Sequence, residues 1–151
     1  MTIEEFIEAR LAEDEQTANT AGTGIYARWD YLPDDGTTSR DYTYGEVYAP
    51  DSVRVHRYGA GDNQRESREY WRVTNDSEGL TPAVEPEQGH HIARHDPDRV
   101  VHEASAWRAV LEFGKALVSA SQQVEFETYV LPPIAAIWHN HPDYQPEWNT
   151  P

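Results

Sequence analysis

The feature that most constrains this chain is an apolar stripe that follows an Asp-Pro pair. Val100, Ala104, Trp107, Leu111, Gly114 and Val118 recur at steps of three and four, and Val110, Phe113 and Leu117 widen the stripe to a core-facing surface. Asp96 is a capping residue type, and Pro97 stands where a missing amide hydrogen costs nothing. Together they predict a helix over about 96–121 with Trp107, Leu111 and Val100 in the core. Gly114 within the stripe leaves room for another backbone to approach, at the cost of about 1 kcal/mol of helix propensity.

A second helix opens the chain. Thr2 and Glu5 fit a capping box, in which hydroxyl and carboxylate satisfy the free amides of the first turn. Ile3, Phe6, Ile7 and Leu11 share one face over about 2–19, and Glu4, Glu8, Glu13, Asp14 and Glu15 cover the rest. Such a helix is stable only when docked, so Phe6 and Ile7 join the predicted core.

Between the helices the pattern changes to β-prone runs, Ile25 to Leu32, Glu46 to Tyr58 and Ser67 to Thr74. The turns Pro33 to Gly36 and Gly59 to Asn63 separate them, which predicts an antiparallel meander over about 23–74. Tyr26, Trp29, Tyr31, Tyr48, Tyr58, Tyr70 and Trp71 lie in or beside these runs, either as sheet packing or as a wet binding platform. Residues 75–95 read as a loop carrying Gly79, Pro82, Pro86 and Gly89. In the segment 122–151, Val124 to Leu131 reads as a further edge strand, and the closing HPDY stretch is expected to fold back over the core. The fold class that follows is α+β in a single domain over 1–151, with the N-terminal and central amphipathic helices packed on a small antiparallel sheet.

Charge narrows the function. The chain of 151 residues carries 27 acidic against 12 basic residues, a formal net charge of −15, which repels phosphate backbones and anionic lipid. Direct nucleic-acid binding is not expected. There is no cysteine, so disulfides, thiolate nucleophiles and cysteine metal sites are excluded. No apolar run reaches the roughly 20 residues a membrane helix needs, and the first turn is acidic where a signal peptide is basic, so the expected location is cytoplasmic, without membrane contact.

Three stretches, EFIEARLAEDE near the start, HIARHDPDRVVHE in the centre and HPDYQPEW near the end, resemble a family of short acidic proteins of unknown function found in actinobacteria and their phages. On that resemblance His91, Arg94, His95, Asp96, Pro97, Arg99, His141, Pro142, Asp143, Tyr144 and Trp148 occupy motif positions. The resemblance implies a lineage and no activity. The chain departs from the pattern in a longer, more aromatic middle and in Ile134 to Trp138.

The motifs with chemistry in them are few. His91, His95, His139, His141 and Asp143 are candidate ligands for a divalent metal, because neutral imidazole is the commonest protein ligand. His91 and His95 share a face only on a helix, and Asp96 with Pro97 argues that the helix starts after them. The alternative is that His95 and Asp96 form the capping turn while His141 holds the tail by hydrogen bonds. His139, Asn140, His141 and Pro142 resemble the His-x-His-Pro element of zinc proteases that cleave isopeptide bonds, though the serine and aspartate that follow in that family are missing. A metallo-β-lactamase-like reading of His139, His141 and Asp143 meets Tyr144 where a histidine belongs. Gly59 and Gly61 begin a dinucleotide-like pattern but precede a strand, and neither a Gly-x-Ser-x-Gly elbow nor a phosphate-binding loop is present. The leading expectation is therefore a non-enzymatic protein-interaction module with a protein partner, no catalytic residues and no cofactor. A metal-dependent hydrolase using His139 and His141, and an acidic nucleic-acid mimic or virion-associated protein, are the alternatives.

Overall fold

The computed structural model describes residues 1–33, 45–60, 64–74 and 84–149. Along the chain run α1 (Ile3–Ala21), a 3-10 turn at Gly24–Tyr26, β1 (Asp30–Pro33), β2 (Gly45–Tyr48), a 3-10 turn at Pro50–Ser52, β3 (Arg54–Tyr58) and β4 (Arg65–Glu69). Then follow α2 (Pro86–Arg94), α3 (Pro97–Lys115), α4 (Ala120–Tyr129), α5 (Leu131–Ala135) and 3-10 turns at Ala136–Trp138 and Pro146–Trp148. The fold is α+β. Its contacts divide into two compact units, Met1–Thr17 with Val101–Pro151, and Ala18–Val100.

The first unit is helical. Its capping box forms as expected: the Thr2 amide donates to Glu5 Oε2 at 2.7 Å and the Glu5 amide to Thr2 Oγ1 at 3.1 Å. Phe6, Ile7 and Leu11 of α1 meet Ala104 and Leu111 of α3, Phe126 of α4, and Leu131, Ile134 and Ala135 of α5 in one buried cluster. The polar edges of α1 and α3 are tied by charge, with Arg108 at 3.6 Å from Glu8 and 2.9 Å from Glu15, and Lys115 at 3.9 Å from Glu8. Tyr144 and Trp148 lie on the Phe6 ring, with centroids 5.9 and 4.9 Å away, so the tail folds over the core as expected.

Three expectations for this unit need correction. The central helix ends at Lys115, and its stripe is narrower than the sequence suggests: Val118 is 95% exposed and Phe113 faces solvent. Phe113 lies two residues, about 200° of helix, from the buried Leu111, so it points away from the core. Trp107 is half-buried and packs against the core cluster as expected, while Val100, which falls in the second unit, is half-buried. Val124 to Leu131 is not a strand, because α4 and the start of α5 occupy it. Only Phe126 of α4 is buried, with Val124 and Tyr129 exposed, so Phe126 and the enclosed Leu131 anchor the segment and its β-propensity is overridden. What comes close to Gly114 is that ring and not another backbone: a Cβ at Gly114 would lie 2.1 Å from Phe126 Cε1.

The second unit holds the strands. β1 pairs with β2 antiparallel, Tyr31 opposite Val47, and α2 lies on this hairpin. On the other side of β2 the segment 71–74 continues the ladder, with Ala49 N–H to Trp71 O at 3.0 Å and Val73 N–H to Val47 O at 2.8 Å. The Tyr31 ring fills the space left by two glycines, since a Cβ at Gly45 or Gly89 would stand 2.3 or 2.2 Å from it. The expected single meander is instead two two-stranded sheets, β1–β2 and β3–β4. Pro50, which has no amide hydrogen to give a ladder, opens the 3-10 turn that divides the run from Glu46 to Tyr58. Ile25 and Tyr26 lie in a 3-10 turn rather than in a strand. Of the expected turns, residues 34–36 and 61–63 lie outside the described residues.

The expected loop over 75–95 is also wrong in its second half. α2 occupies Pro86–Arg94, and residues 75–83 lie outside the described residues. Gly89 hid this helix in the sequence, because glycine lowers helix propensity; here its missing side chain is what admits Tyr31. Asp96 then caps α3 as expected, Oδ1 accepting the Arg99 amide at 2.7 Å while Oδ2 accepts the Trp29 amide at 3.3 Å.

Candidate functional site

The motif residues divide between the two units. In the second unit, His91 on α2 and His95 at its C-terminal cap bring their rings to 4.6 Å, so they share a helical face after all, within α2 and before the Asp96 cap. Arg94 closes α2, Pro97 opens α3, and the Arg99 guanidinium donates to the Arg94 carbonyl at 3.1 Å. In the first unit, His141 lies beside Arg10, whose Nη1 stands 2.6 Å from Nδ1 and 2.7 Å from Nε2 of the imidazole. The Asp143 amide donates to His141 Nδ1 at 3.1 Å, and the Asp143 carboxylate is 3.6 Å from Arg10. His139 is exposed, with Nδ1 at 3.1 Å from the Ala136 carbonyl. Pro142, also exposed, separates the two. Among the described residues no group of three or more His, Asp or Glu side chains stands ready to hold a metal ion.

Arg10 organises the group around His141. It is 6% exposed, lies 5.3 Å over the Phe6 ring, and reaches Glu13 Oε1 at 2.7 Å as well as His141 and Asp143. The guanidinium, held against the imidazole, fixes the ring. The arrangement anchors the tail to α1, with Trp138 Nε1 donating to Asp14 at 2.9 Å as a second tie. Arg10 was not singled out in the sequence, and its only signal is a cation on the apolar side of an otherwise acidic helix. Glu8, Glu13 and Glu15 are likewise engaged with Arg108, Lys115 and Arg10, so part of the α1 carboxylate array is neutralised within its own unit.

A different surface in the second unit has the make-up of a binding site. The Tyr26 and Trp71 rings meet edge to face at 5.5 Å while remaining 38% and 41% exposed, and Ile25 and Val53 beside them are exposed too. The 3-10 turns at Gly24–Tyr26 and Pro50–Ser52 touch, and the Trp71 amide donates to Ser52 Oγ at 2.8 Å, so short rigid turns hold these groups in place. Arg68, Glu69, Tyr70, Trp71 and Arg72 line a shallow cleft of about 410 Å³ next to them. Two of its lining side chains are tied to one carboxylate, Tyr70 donating to Glu46 and Arg72 reaching Glu46 at 2.9 Å. Burial and the Glu46 carboxylate push the Tyr70 phenol above its ordinary 10.0, partly offset by Arg72, so it stays a neutral donor.

From this surface β3 and β4 project as a ribbon whose ten residues are all exposed, on both faces. Arg54, Arg57, Arg65, Arg68 and Arg72 place five of the chain's 12 basic residues within this stretch of a strongly acidic protein. Tyr26, Tyr70 and Trp71 were legible as aromatic candidates, whereas the arginines were lost in a net charge summed over the whole chain.

The sequence matches a family of unknown function, DUF6221, over residues 1–150. Comparison with curated proteins and with solved structures finds no match. The chain belongs to the family DUF6221.

Proposed function

We propose that this member of DUF6221 is a non-enzymatic protein-interaction module, and that its binding surface is the aromatic and arginine-lined face of the second unit. The observation that carries the reading is the Tyr26–Trp71 pair, two large rings held at 5.5 Å by backbone ties yet left in contact with solvent beside the cleft of Arg68, Tyr70 and Arg72. Trp, Tyr and Arg are the residue types that dominate binding energy at protein interfaces, because each buries a large surface with few torsions to freeze. The partner that fits presents an apolar ridge flanked by carboxylates, which Arg68 and Arg72 would meet. The lineage suggested by the sequence motifs, an actinobacterium or its phage, names the cell in which to look, and a cytoplasmic partner is part of the proposal.

The test is site-specific photo-crosslinking in the native host. A photoreactive residue replacing Trp71 is expected to give a discrete adduct that is lost when Tyr26→Ala is added. The same residue replacing Val118, an exposed apolar side chain of the first unit, is expected to give none. Equal adduct patterns from the two positions, or an adduct indifferent to Tyr26, would overturn the reading.

A further inference from the structure

β4 reads Arg65, Glu66, Ser67, Arg68, Glu69, and among the described residues it pairs with β3 along one edge only. In an antiparallel pair, residues directly opposite lie on one face of the sheet and alternate residues turn their amide and carbonyl groups away from the neighbouring strand. Among the described residues the outer edge of β4 therefore offers unpaired backbone groups. Charged side chains ordinarily guard such an edge against other strands. Here their order does the opposite. Laid antiparallel against a second β4 with Ser67 on the two-fold axis, Arg65 faces Glu69 of the other copy, Glu66 faces Arg68, and both relations repeat by symmetry. Every charge on the strand meets its opposite, and Ser67 meets Ser67.

The same operation on β3 fails. Centred on His56, it sets Val55 against Arg57 and Arg54 against Tyr58 and brings two histidines together, with no charge compensated. Within the ribbon the charges of β4 are only partly met. Glu66 lies 3.5 Å from Arg57 and 3.7 Å from Arg68, Glu69 lies 3.1 Å from His56, and Arg65 has no ion pair among the described residues. A two-stranded ribbon with no buried side chain is also marginal by itself, and two further strands would complete it.

We infer that β4 is a self-complementary edge through which two copies of the chain join, antiparallel and two-fold symmetric about Ser67, into a four-stranded sheet. The interface is isologous and closes at two copies, so it makes a dimer and no filament. The proposed edge shares Arg68 and Glu69 with the cleft of the partner reading, yet the two fail separately: sedimentation of purified protein reads the dimer, and Trp71 can still crosslink to a partner when no dimer forms.

Sedimentation of the full chain over a wide concentration range tests it first. The expected result is a species of twice the 17.3 kDa chain mass that dissociates on dilution and in high salt; a monomer at every concentration overturns the inference. Charge exchange then tests the register. The double variants Arg65→Glu/Arg68→Glu and Glu66→Arg/Glu69→Arg are each expected to lose the dimer, and mixing them in equal amounts is expected to restore a heterodimer, which misfolded variants could not form. Two variants that dimerise separately, or fail to combine, overturn it. Because the chain has no cysteine, Ser67→Cys reads the axis directly. Opposed Cα atoms at about 4.5–5.5 Å suit a disulfide, so mild oxidation is expected to give a covalent dimer, while Arg65→Cys alone gives none.

Discussion

The two units use the same kinds of residue to opposite ends. In Met1–Thr17 with Val101–Pro151, aromatic and leucine side chains converge from four helices, and Phe6, Ile7, Leu11, Leu111 and Leu131 are wholly enclosed. Each such side chain contributes about 1.5–3 kcal/mol on leaving water. In Ala18–Val100 the buried hydrophobic side chains among the described residues are Ala18, Tyr31, Val47 and Ala49, while Tyr26, Tyr58 and Trp71 stay in contact with water and the β3–β4 ribbon buries nothing. The difference separates two tasks. Among the described residues the enclosed large apolar side chains are concentrated in the helical unit, and the strand-bearing unit leaves rings and arginines exposed.

The largest effect expected from this contrast is the loss of about 2–5 kcal/mol on Leu111→Ala, from transfer and cavity terms together. Val55→Ala in the ribbon should change stability by less than about 0.5 kcal/mol, because its side chain is already half in water. Urea midpoints of the two variants measure both, and similar losses would break the comparison. Next comes Gly114→Ala. Helix propensity alone favours alanine by about 1 kcal/mol, yet a Cβ 2.1 Å from the Phe126 ring forces that ring out, and a net destabilisation of about 1–3 kcal/mol is expected. A stabilised variant would mean that Phe126 does not sit against α3.

Asp96→Ala should cost about 1 kcal/mol by stripping the cap from α3, and Asp96→Asn should recover most of it in thermal unfolding. The smallest effect concerns Tyr31, whose hydroxyl is buried with no partner among the described residues. Tyr31→Phe should leave stability unchanged or raise it by up to about 1 kcal/mol. Burial, with the Glu87 carboxylate adding, holds this phenol above its ordinary 10.0. The unfolded chain therefore ionises first, and stability falls as pH rises past 10.0; the phenylalanine variant should lack that contribution.

Helix starts were the most legible part of the sequence. Thr2 with Glu5, and Asp96 with Pro97, are local chemical statements, and both close the hydrogen bonds their spacing implies. Partnership over distance was hidden. Gly89 and Gly114 each weaken a helix in isolation, and the reason each is there, a tyrosine or phenylalanine ring in the vacated space, belongs to another element of the chain. Val124 to Leu131 misled for the same reason, since the partners of Phe126 and Leu131 in the core belong to other helices. Of the candidate site, the aromatic residues could be named from sequence but not sorted, and only the fold separates the enclosed Tyr31 from the wet Tyr26 and Trp71. The imidazoles at 139 and 141 looked alike in the sequence, and only the fold sets one against Arg10, far away in sequence, and leaves the other exposed.

Native-state hydrogen exchange at low and high protein concentration tests the division of labour most directly. Backbone amides in the enclosed parts of α1 and α3 are expected to exchange only through global unfolding at either concentration, whereas those of β4 exchange rapidly in dilute protein and slow down as the dimer forms. Ribbon amides as slow as the helical core in dilute protein, or helical amides as fast as the ribbon, would contradict it.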